Sequence, residues 1–481
     1  MGSSTGQRGG RGRLAVGLTA AGVLVSMVGV GCGTVASESA RTPAARASGS
    51  PAAAGAQLWA RTYYPAGFTD AVAASPDGSA VFVTGAIRKN GVAYYATIGY
   101  HAGTGRQVWL SRFNIGGPYG APDAIAVSPD GGTVFVVGQG SGSGAGYATI
   151  AYNASTGRQL WVSRYKWVAR ALVMSPDGKT VYVTGYAFSS NLGYVTIAYN
   201  AATGARRWLA RYNGPANGND QARSVAISPN GKSVYVTGRS YGGTSRYDYA
   251  TVAYNALTGA QRWASRYDGR ANGNDFASGV VVAPGGKSVY VTGGSQNSTT
   301  RTANPSAHND FATVAYNAAT GAQRWVARYN DKYNGADEGG SVAITPDGRT
   351  VIVAGPSFGN RTGYAAVAYN AATGAALWTR RVLGFPVAVP LGTQTLAVSP
   401  DSRTVYVAGP SPCGFCDYHY RTVAFAVATG TQEWMSTYNG PGKGDDNPIA
   451  VALSPDGRTL YVTGSTTGAA TWGFTTIAYR T

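Results

Sequence analysis

Residues 248–263, DYATVAYNALTGAQRW, recur almost word for word along the chain. NDFATVAYNAATGAQRW ends at Trp325, and GYATIAYNASTGRQLW ends at Trp161. The tryptophans that close the phrase are Trp59, Trp109, Trp161, Trp208, Trp263, Trp325, Trp378 and Trp434, spaced 47 to 62 residues apart. A second phrase falls between them: SPDGSAVFVTG from Ser75, SPDGKTVYVTG from Ser175, TPDGRTVIVAG from Thr345 and SPDGRTLYVTG from Ser454. With degenerate copies such as APGGKSVYVTG from Ala283, it also occurs eight times. Self-similarity at such a period is the mark of a repeat architecture.

Each unit parses into four short strands, as the fourth shows. SVAIS (224–228) is strand A, and Pro229-Asn230-Gly231 supplies a tight turn, proline presetting φ and glycine accepting the left-handed position. KSVYVTG (232–238) is strand B, YATVAYN (249–255) is strand C, and AQRWASRY (260–267) is strand D after the turn Asn255–Gly259. The apolar positions alternate or run continuously over five to seven residues, as in strands buried on one or both faces. Eight such sheets set radially predict an all-β, eight-bladed β-propeller. The last strand, TTIAYRT, is a C without a D, and the first, QLWART (57–62), is a D without a blade. The N-terminal strand is therefore expected to complete the last blade and close the ring, removing its open edges.

The phrase Ala253-x-Asn255-x-x-Thr258-Gly259-x-Gln261-x-Trp263 resembles the tryptophan-docking motif of eight-bladed quinoprotein-like (PQQ-like) propellers, with Asn for Asp and Gln for Glu. VYVTG and YNGPANGND are also similar to bacterial YVTN-like blade repeats. The likeness covers residues 56–481. It implies that each tryptophan stacks on the neighbouring blade. It leaves function open, because one fold hosts many activities.

Of 481 residues, 69 are glycine, 32 are tyrosine and only 12% are charged, which suits short strands joined by tight turns. Arg8, Arg11 and Arg13 precede an apolar stretch from Leu14 to Gly31, the layout of an export signal over residues 1–31. It ends in GVGC and resembles bacterial lipoprotein signals, with Cys32 at the lipid-attachment position and Gly29 where those signals usually carry Leu, Val or Ile. Ordinary cleavage nearby and an uncleaved anchor are the alternatives. Residues 32–55, rich in Ala, Ser and Pro, read as a tether, and 56–481 as the propeller. The expected location is the outer face of the cytoplasmic membrane as a lipoprotein, or secretion. Membrane contact would run through a lipid anchor only, and the protein is expected to be a monomer. The formal charge of +18 falls to +15 without residues 1–31, a balance that suits anionic cell-envelope partners; export removes nucleic acid as a partner.

Propeller geometry puts the short A–B and C–D turns on one face and the variable B–C and D–A loops on the other, where recognition usually lives. Asp220, Asp275, Asp337 and Asp446 recur in the D–A loops, with Asp70 and Asp123 slightly nearer strand A. Two readings apply: a cation or polar-ligand site at the channel mouth, or capping of each Gly/Asn-rich loop through backbone N–H bonds, which repetition favours. Trp167 and Trp472 fall outside the repeat and are candidates for holding a sugar or protein partner, against local packing. Arg112, Arg164, Arg211, Arg266 and Arg328 each follow their tryptophan by three residues and read as edge protection on the outer strand. CGFC (Cys413–Cys416) lies in a B–C loop with no helix to lower a thiol pKa, so a local Cys413–Cys416 disulfide is expected in an exported protein.

The three histidines, His101, His308 and His419, sit in different units, and the chain has neither an HExxH nor a zinc-spaced His/Cys cluster. The adjacent-cysteine disulfide that the quinoprotein resemblance implies is absent, and calcium ligands are not identifiable from sequence. The expectation is a non-catalytic, extracytoplasmic propeller that binds a cell-envelope protein or polymer through its variable face. The alternative is an enzyme at the channel mouth, a PQQ-dependent dehydrogenase or a metal-dependent lactonase, using PQQ, calcium or another metal. Carboxylates converging on the channel rim would favour the enzyme; carboxylates turned onto their own loops would not.

Overall fold

The computed structural model describes residues 52–64, 67–140, 146–187, 193–244, 246–297, 308–358, 362–383, 395–413, 417–442, 444–468 and 471–481. They form 32 strands in eight four-stranded antiparallel sheets, and Ala52–Thr481 is one compact unit. Seven blades run A-B-C-D in chain order. The eighth takes its A, B and C strands from Asp446–Leu453, Thr459–Thr467 and Trp472–Arg480, and its D strand from Gln57–Tyr63 at the other end of the chain. The propeller and its closure are thus as the repeat predicts. Strand A of each blade touches strand A of both neighbours, so the eight A strands form the inner ring around the channel.

The core lies between blades. One representative cluster joins Tyr235, Tyr249, Ala253 and Trp263 of blade 4 to Ala277, Val289, Val291 and Tyr316 of blade 5. Strands B and C are buried on both sides, which is why VYVTG and YATVAYN read as near-continuous apolar runs.

The repeated phrase makes the seam. Trp263 donates its indole N–H to the Ala318 carbonyl of blade 5 at 3.0 Å, and its ring packs between Tyr235 (5.8 Å) and Tyr316 (6.2 Å). The ring also covers Gly321, whose φ is +75° and where a Cβ would lie 2.7 Å from the indole. Only glycine satisfies both conditions. Equivalent indole bonds run from Trp59 to Ala102, Trp109 to Ala154, Trp161 to Ala201, Trp208 to Ala256, Trp325 to Ala371 and Trp378 to Val427. Trp434 covers Gly55, just ahead of the N-terminal strand, so the same clamp closes the ring. Burial of each indole stabilises by a few kcal/mol, at ~25 cal/mol per Å² over ~150–250 Å².

The turns keep to one face. In blade 4 the Ser228 hydroxyl donates to Asn230 Oδ1 (2.7 Å) and accepts the Ser233 N–H (2.9 Å), while Asn255 Oδ1 accepts the N–H groups of Leu257 (2.9 Å) and Thr258 (3.2 Å). The Ala256 N–H then bonds the Lys232 carbonyl at 3.1 Å, joining the C–D turn to the A–B turn.

Blade 4 departs from its sequence reading on the opposite face. Strand B runs Ser233–Gly243 and strand C Arg246–Asn255, with Tyr241 opposite Tyr247 and Gly243 opposite Arg246. The expected variable loop is mostly a paired hairpin, with its tyrosines meeting edge to face across the strands at 5.6 Å. Strand A starts at Gln221, earlier than read, and carries a bulge at Arg223.

Candidate functional site

The D–A loops are built around their aspartates. Asp220 accepts the Gly214 N–H (2.6 Å) and the Tyr241 N–H (2.9 Å). Asp275 accepts the Gly269 N–H (2.7 Å), Asp337 the Asp331 N–H (2.8 Å), and Asp446 the Gly440 N–H (2.6 Å) together with the Thr466 hydroxyl. Each carboxylate thus ties down a backbone N–H six residues earlier in its own loop, and all four are fully buried. Burial pushes Asp275 and Asp337 up to about 6 and raises Asp446. Asn217, Asn272 and Asn334 take left-handed backbone within three of these loops, a conformation asparagine tolerates.

Of the arginines that follow a tryptophan by three residues, Arg112, Arg164 and Arg211 are exposed, whereas Arg266 and Arg328 are half-buried in ion pairs and are not the free edge guards the sequence suggests. Arg266 donates to Asp248 Oδ2 at 2.6 and 3.1 Å and to Ser240, and Arg328 donates to Asp310 Oδ2 at 2.9 and 3.1 Å and to Ser295. Three of these arginines reach the tyrosine hydroxyl of the previous blade: Arg112 to Tyr63 at 2.6 Å, Arg266 to Tyr212 at 3.5 Å and Arg328 to Tyr267 at 2.9 Å. In blades 4 and 5 the extended B–C hairpins bring the acids within reach, so there the outer-strand charge joins strands and blades. Arg164 instead reaches the carbonyls of Asn114 and Ile115.

Inside the ring, strand A carries a bulge at one equivalent position in most blades: Asp70, Asp123, Arg170, Arg223, Ser278 and Ile449. A bulge leaves its residue outside the ladder and re-aims the side chain. Blades 1 and 2 place acids there, and blades 3 and 4 place arginines. Arg170 bridges to Asp123 at 2.9 Å and to the Tyr186 hydroxyl at 3.2 Å. Burial, with the Asp123 charge adding to it, raises Asp70 well above the carboxylate range. Asp123 is pushed up to about 6 by burial, against the pull of Arg170.

The two tryptophans outside the repeat differ. Trp167 is half-buried, 4.5 Å from the Tyr165 ring, with the Arg211 guanidinium 4.7 Å over its face. Trp472 opens strand C of blade 8 and packs at 5.5 Å on Phe68, which is 52% exposed. Tyr64, 43% exposed, lies over Gly468 and Gly473 beside it. The exposed rings of Tyr64 and Phe68 and the half-buried Trp472 make an aromatic patch on the variable-loop face, where the two ends of the ring meet. Phe68 and Tyr64 were not singled out in the sequence, since only tryptophans break the repeat visibly.

The sequence profile of the family described as outer membrane protein assembly factor BamB matches residues 46–248, 95–310 and 250–474. The chain belongs to this BamB family of PQQ-like propellers. No functionally curated protein matches it. Among solved structures, Chaetomium thermophilum Sqt1, bound to the N-terminus of ribosomal protein L10, is 12% identical with a TM-score of 0.59, covering 87% of this chain and 98% of that one. A europium-containing methanol dehydrogenase is 12% identical with a TM-score of 0.51, covering 89% and 93%. The quinohemoprotein alcohol dehydrogenase from Comamonas testosteroni is 12% identical with a TM-score of 0.50, covering 88% and 76%. At such identity the likeness is one of fold.

In this BamB-family chain, one group of three metal-ligating side chains occurs among the described residues: Asp248, Asp268 and Asp275, with ligand oxygens within 4.8 Å of one another. Asp248 and Asp268 escaped the sequence reading because they come from strand C and a D–A loop. The set fits calcium poorly. The Arg266 guanidinium already supplies the positive charge at Asp248, the Gly269 N–H takes an oxygen of Asp275, and calcium asks for six to eight oxygen ligands. Cys413 ends strand B of blade 7 with its backbone opposite Asp417, at the hairpin's tip, whereas Cys416 and Cys32 lie outside the described residues. Among the described residues no helix is long and apolar enough to cross a membrane; the apolar stretch 14–31 lies outside them.

Proposed function

We propose that this BamB-family chain is a non-catalytic, extracytoplasmic scaffold that docks a cell-envelope protein through its variable-loop face. Residues 1–31 direct export, Cys32 carries a lipid, and residues 32–55 hold a monomeric propeller clear of the membrane. The aromatic patch of Tyr64, Phe68 and Trp472 carries the reading. Exposed aromatics on a rigid frame are the usual anchors of protein interfaces. The inward-turned D–A aspartates support a scaffold over channel-mouth chemistry, since their carboxylates are already used by their own loops. The family's description as an outer membrane assembly factor supports the same direction.

The test compares wild type with a Phe68→Ser, Trp472→Ala variant. The variant is expected to keep its thermal midpoint within a few degrees and to lose the proteins that wild type cross-links in a cell-envelope extract. Cross-linking that survives the double substitution overturns the reading. Cys32→Ala is expected to move the protein from the membrane fraction to the soluble one. Continued membrane association in that variant excludes the lipid.

A further inference from the structure

Three arginines gather at the variable-loop mouth of the channel. Arg170 and Arg223 hold the same bulge position on successive inner strands, and Arg239 sits on strand B of blade 4 opposite Gln221, two residues before Arg223. All three are half-buried. Only Arg170 is anchored, by Asp123 and Tyr186. Arg239 lies with its guanidinium over the rings of Tyr247 (4.7 Å) and Phe276 (5.4 Å), and its buried Nε has no hydrogen-bond partner among the described residues. Stacking holds the plane of a guanidinium and leaves its edge, where the donors are, open. No hydrogen bond or ion pair of Arg223 occurs among the described residues.

The surrounding charges leave this sector positive. Burial, followed by repulsion from Arg239 and Arg170, brings Arg223 down to about 10. Glu338 is the acid nearest in effect, but its carboxylate accepts from Asn309 at 2.9 Å, and burial raises its pKa. Asp123 is committed to Arg170, and Asp70 is held toward its neutral form. Half-burying a guanidinium costs free energy, and for Arg223 no hydrogen bond or ion pair among the described residues offsets it. We propose that Arg170, Arg223 and Arg239 form a binding site for a small multivalent oxyanion, a phosphate or polycarboxylate, at the channel mouth. Guanidinium forks match both chemistries, and the fixed Arg239 and the bulge at Arg223 present them without rearrangement. The site is separate from the aromatic patch, so its success or failure leaves the docking reading standing.

Calorimetric titration of the full chain with inorganic phosphate and, separately, with citrate, at constant ionic strength, tests it. One saturable site is expected for at least one anion, and the two arms tell phosphate from carboxylate recognition. Arg223→Gln and Arg239→Gln are each expected to weaken it about tenfold or more, as loss of a charged hydrogen bond does. The ligand-free thermal midpoint of Arg223→Gln should equal or exceed that of wild type, because an unpaired charge has been removed. Arg88→Gln, at an exposed arginine stacked on Tyr119, should bind like wild type. No saturable binding of either anion, unchanged affinity in both channel variants, or an equal loss in Arg88→Gln overturns the proposal.

Discussion

The two faces of the ring are made from the same four strands and obey different rules. On the short-turn face every blade meets its neighbour through an indole over a left-handed glycine, and seven of the eight indoles also donate their N–H to the next blade's carbonyl among the described residues. On the variable-loop face the same geometric position holds an acid in blades 1 and 2, an arginine in blades 3 and 4, and a serine in blade 5. A contact that must be made identically around a closed ring tolerates little variation. A position facing the channel or solvent has no such partner, so it is free to differ, and the charges there are neutralised locally or left for a ligand.

Breaking the short-turn face should have the largest effect. Trp263→Ala removes an indole buried against two tyrosines and a turn glycine, and is expected to destabilise by about 3–5 kcal/mol in urea unfolding. A loss below about 1 kcal/mol would mean the seams are not what holds the ring. Asp220→Ala, on the other face, strips two backbone N–H groups of their acceptor and should cost about 1–3 kcal/mol by the same measurement. It should also raise amide exchange in residues 213–219 well above that of the blade 4 core strands; uniform exchange across the blade would count against a local role for the loop aspartate.

The repeat made the fold legible because each seam needs Trp and Gly at fixed spacing, with an Asn-capped turn in five of the units. The closure followed from strands left over at both ends. The charged interactions were harder to read. Arg266 and Asp248 lie 18 residues apart and meet only because the B–C hairpin is paired to its tip. A signal was present: Asp248 and Asp310 occupy matching places near the start of strand C in the two blades whose arginines, Arg266 and Arg328, they bind. The inner ring was hidden for another reason. A bulge shifts the register of strand A, so a column holding Asp70, Asp123, Arg170 and Arg223 does not look like a column of one kind.

The buried loop aspartates carry a pH signature opposite in sign to that of the turn face, where hydrogen bonds from Ser75, Ser175 and Ser454 hold Asp77, Asp177 and Asp456 below the usual carboxylate range. Asp275 has its pKa raised to about 6, chiefly by burial, from an unfolded value of about 3.9. A raised carboxyl favours the folded state while it is protonated, so its contribution is complete below about pH 4 and is lost as pH rises through about 6. Asp275→Asn keeps an oxygen for the Gly269 N–H and abolishes the titration. Between about pH 4 and 6 the wild type should therefore lose stability relative to the variant, by up to about 1.4 kcal/mol per pH unit. Asp123 and Asp337 titrate in the same range and remain in both proteins, so the difference between the two urea-unfolding series isolates Asp275. Parallel series would show that Asp275 stays ionised throughout.

The smallest effect should be the sharpest, since one substitution is expected to change sign between blades. In blade 4 the buried hydroxyls of Thr237 and Thr251 face each other across strands B and C at 3.0 Å, and the pair recurs as Thr84–Thr97, Thr184–Thr196, Thr292–Thr313 and Thr463–Thr476. Blade 2 has Val137 opposite Thr149, and the buried Thr149 hydroxyl has no partner among the described residues. Thr251→Val removes a made hydrogen bond and should cost about 0.5–1.5 kcal/mol. Thr149→Val removes an unmade one at constant shape and should be neutral or stabilise by up to about 1 kcal/mol. Should both variants lose stability equally, the threonines would matter for strand shape and not for their hydroxyls. Opposite signs would show that even the most uniform part of the ring is tuned blade by blade, through whichever residue stands across the sheet.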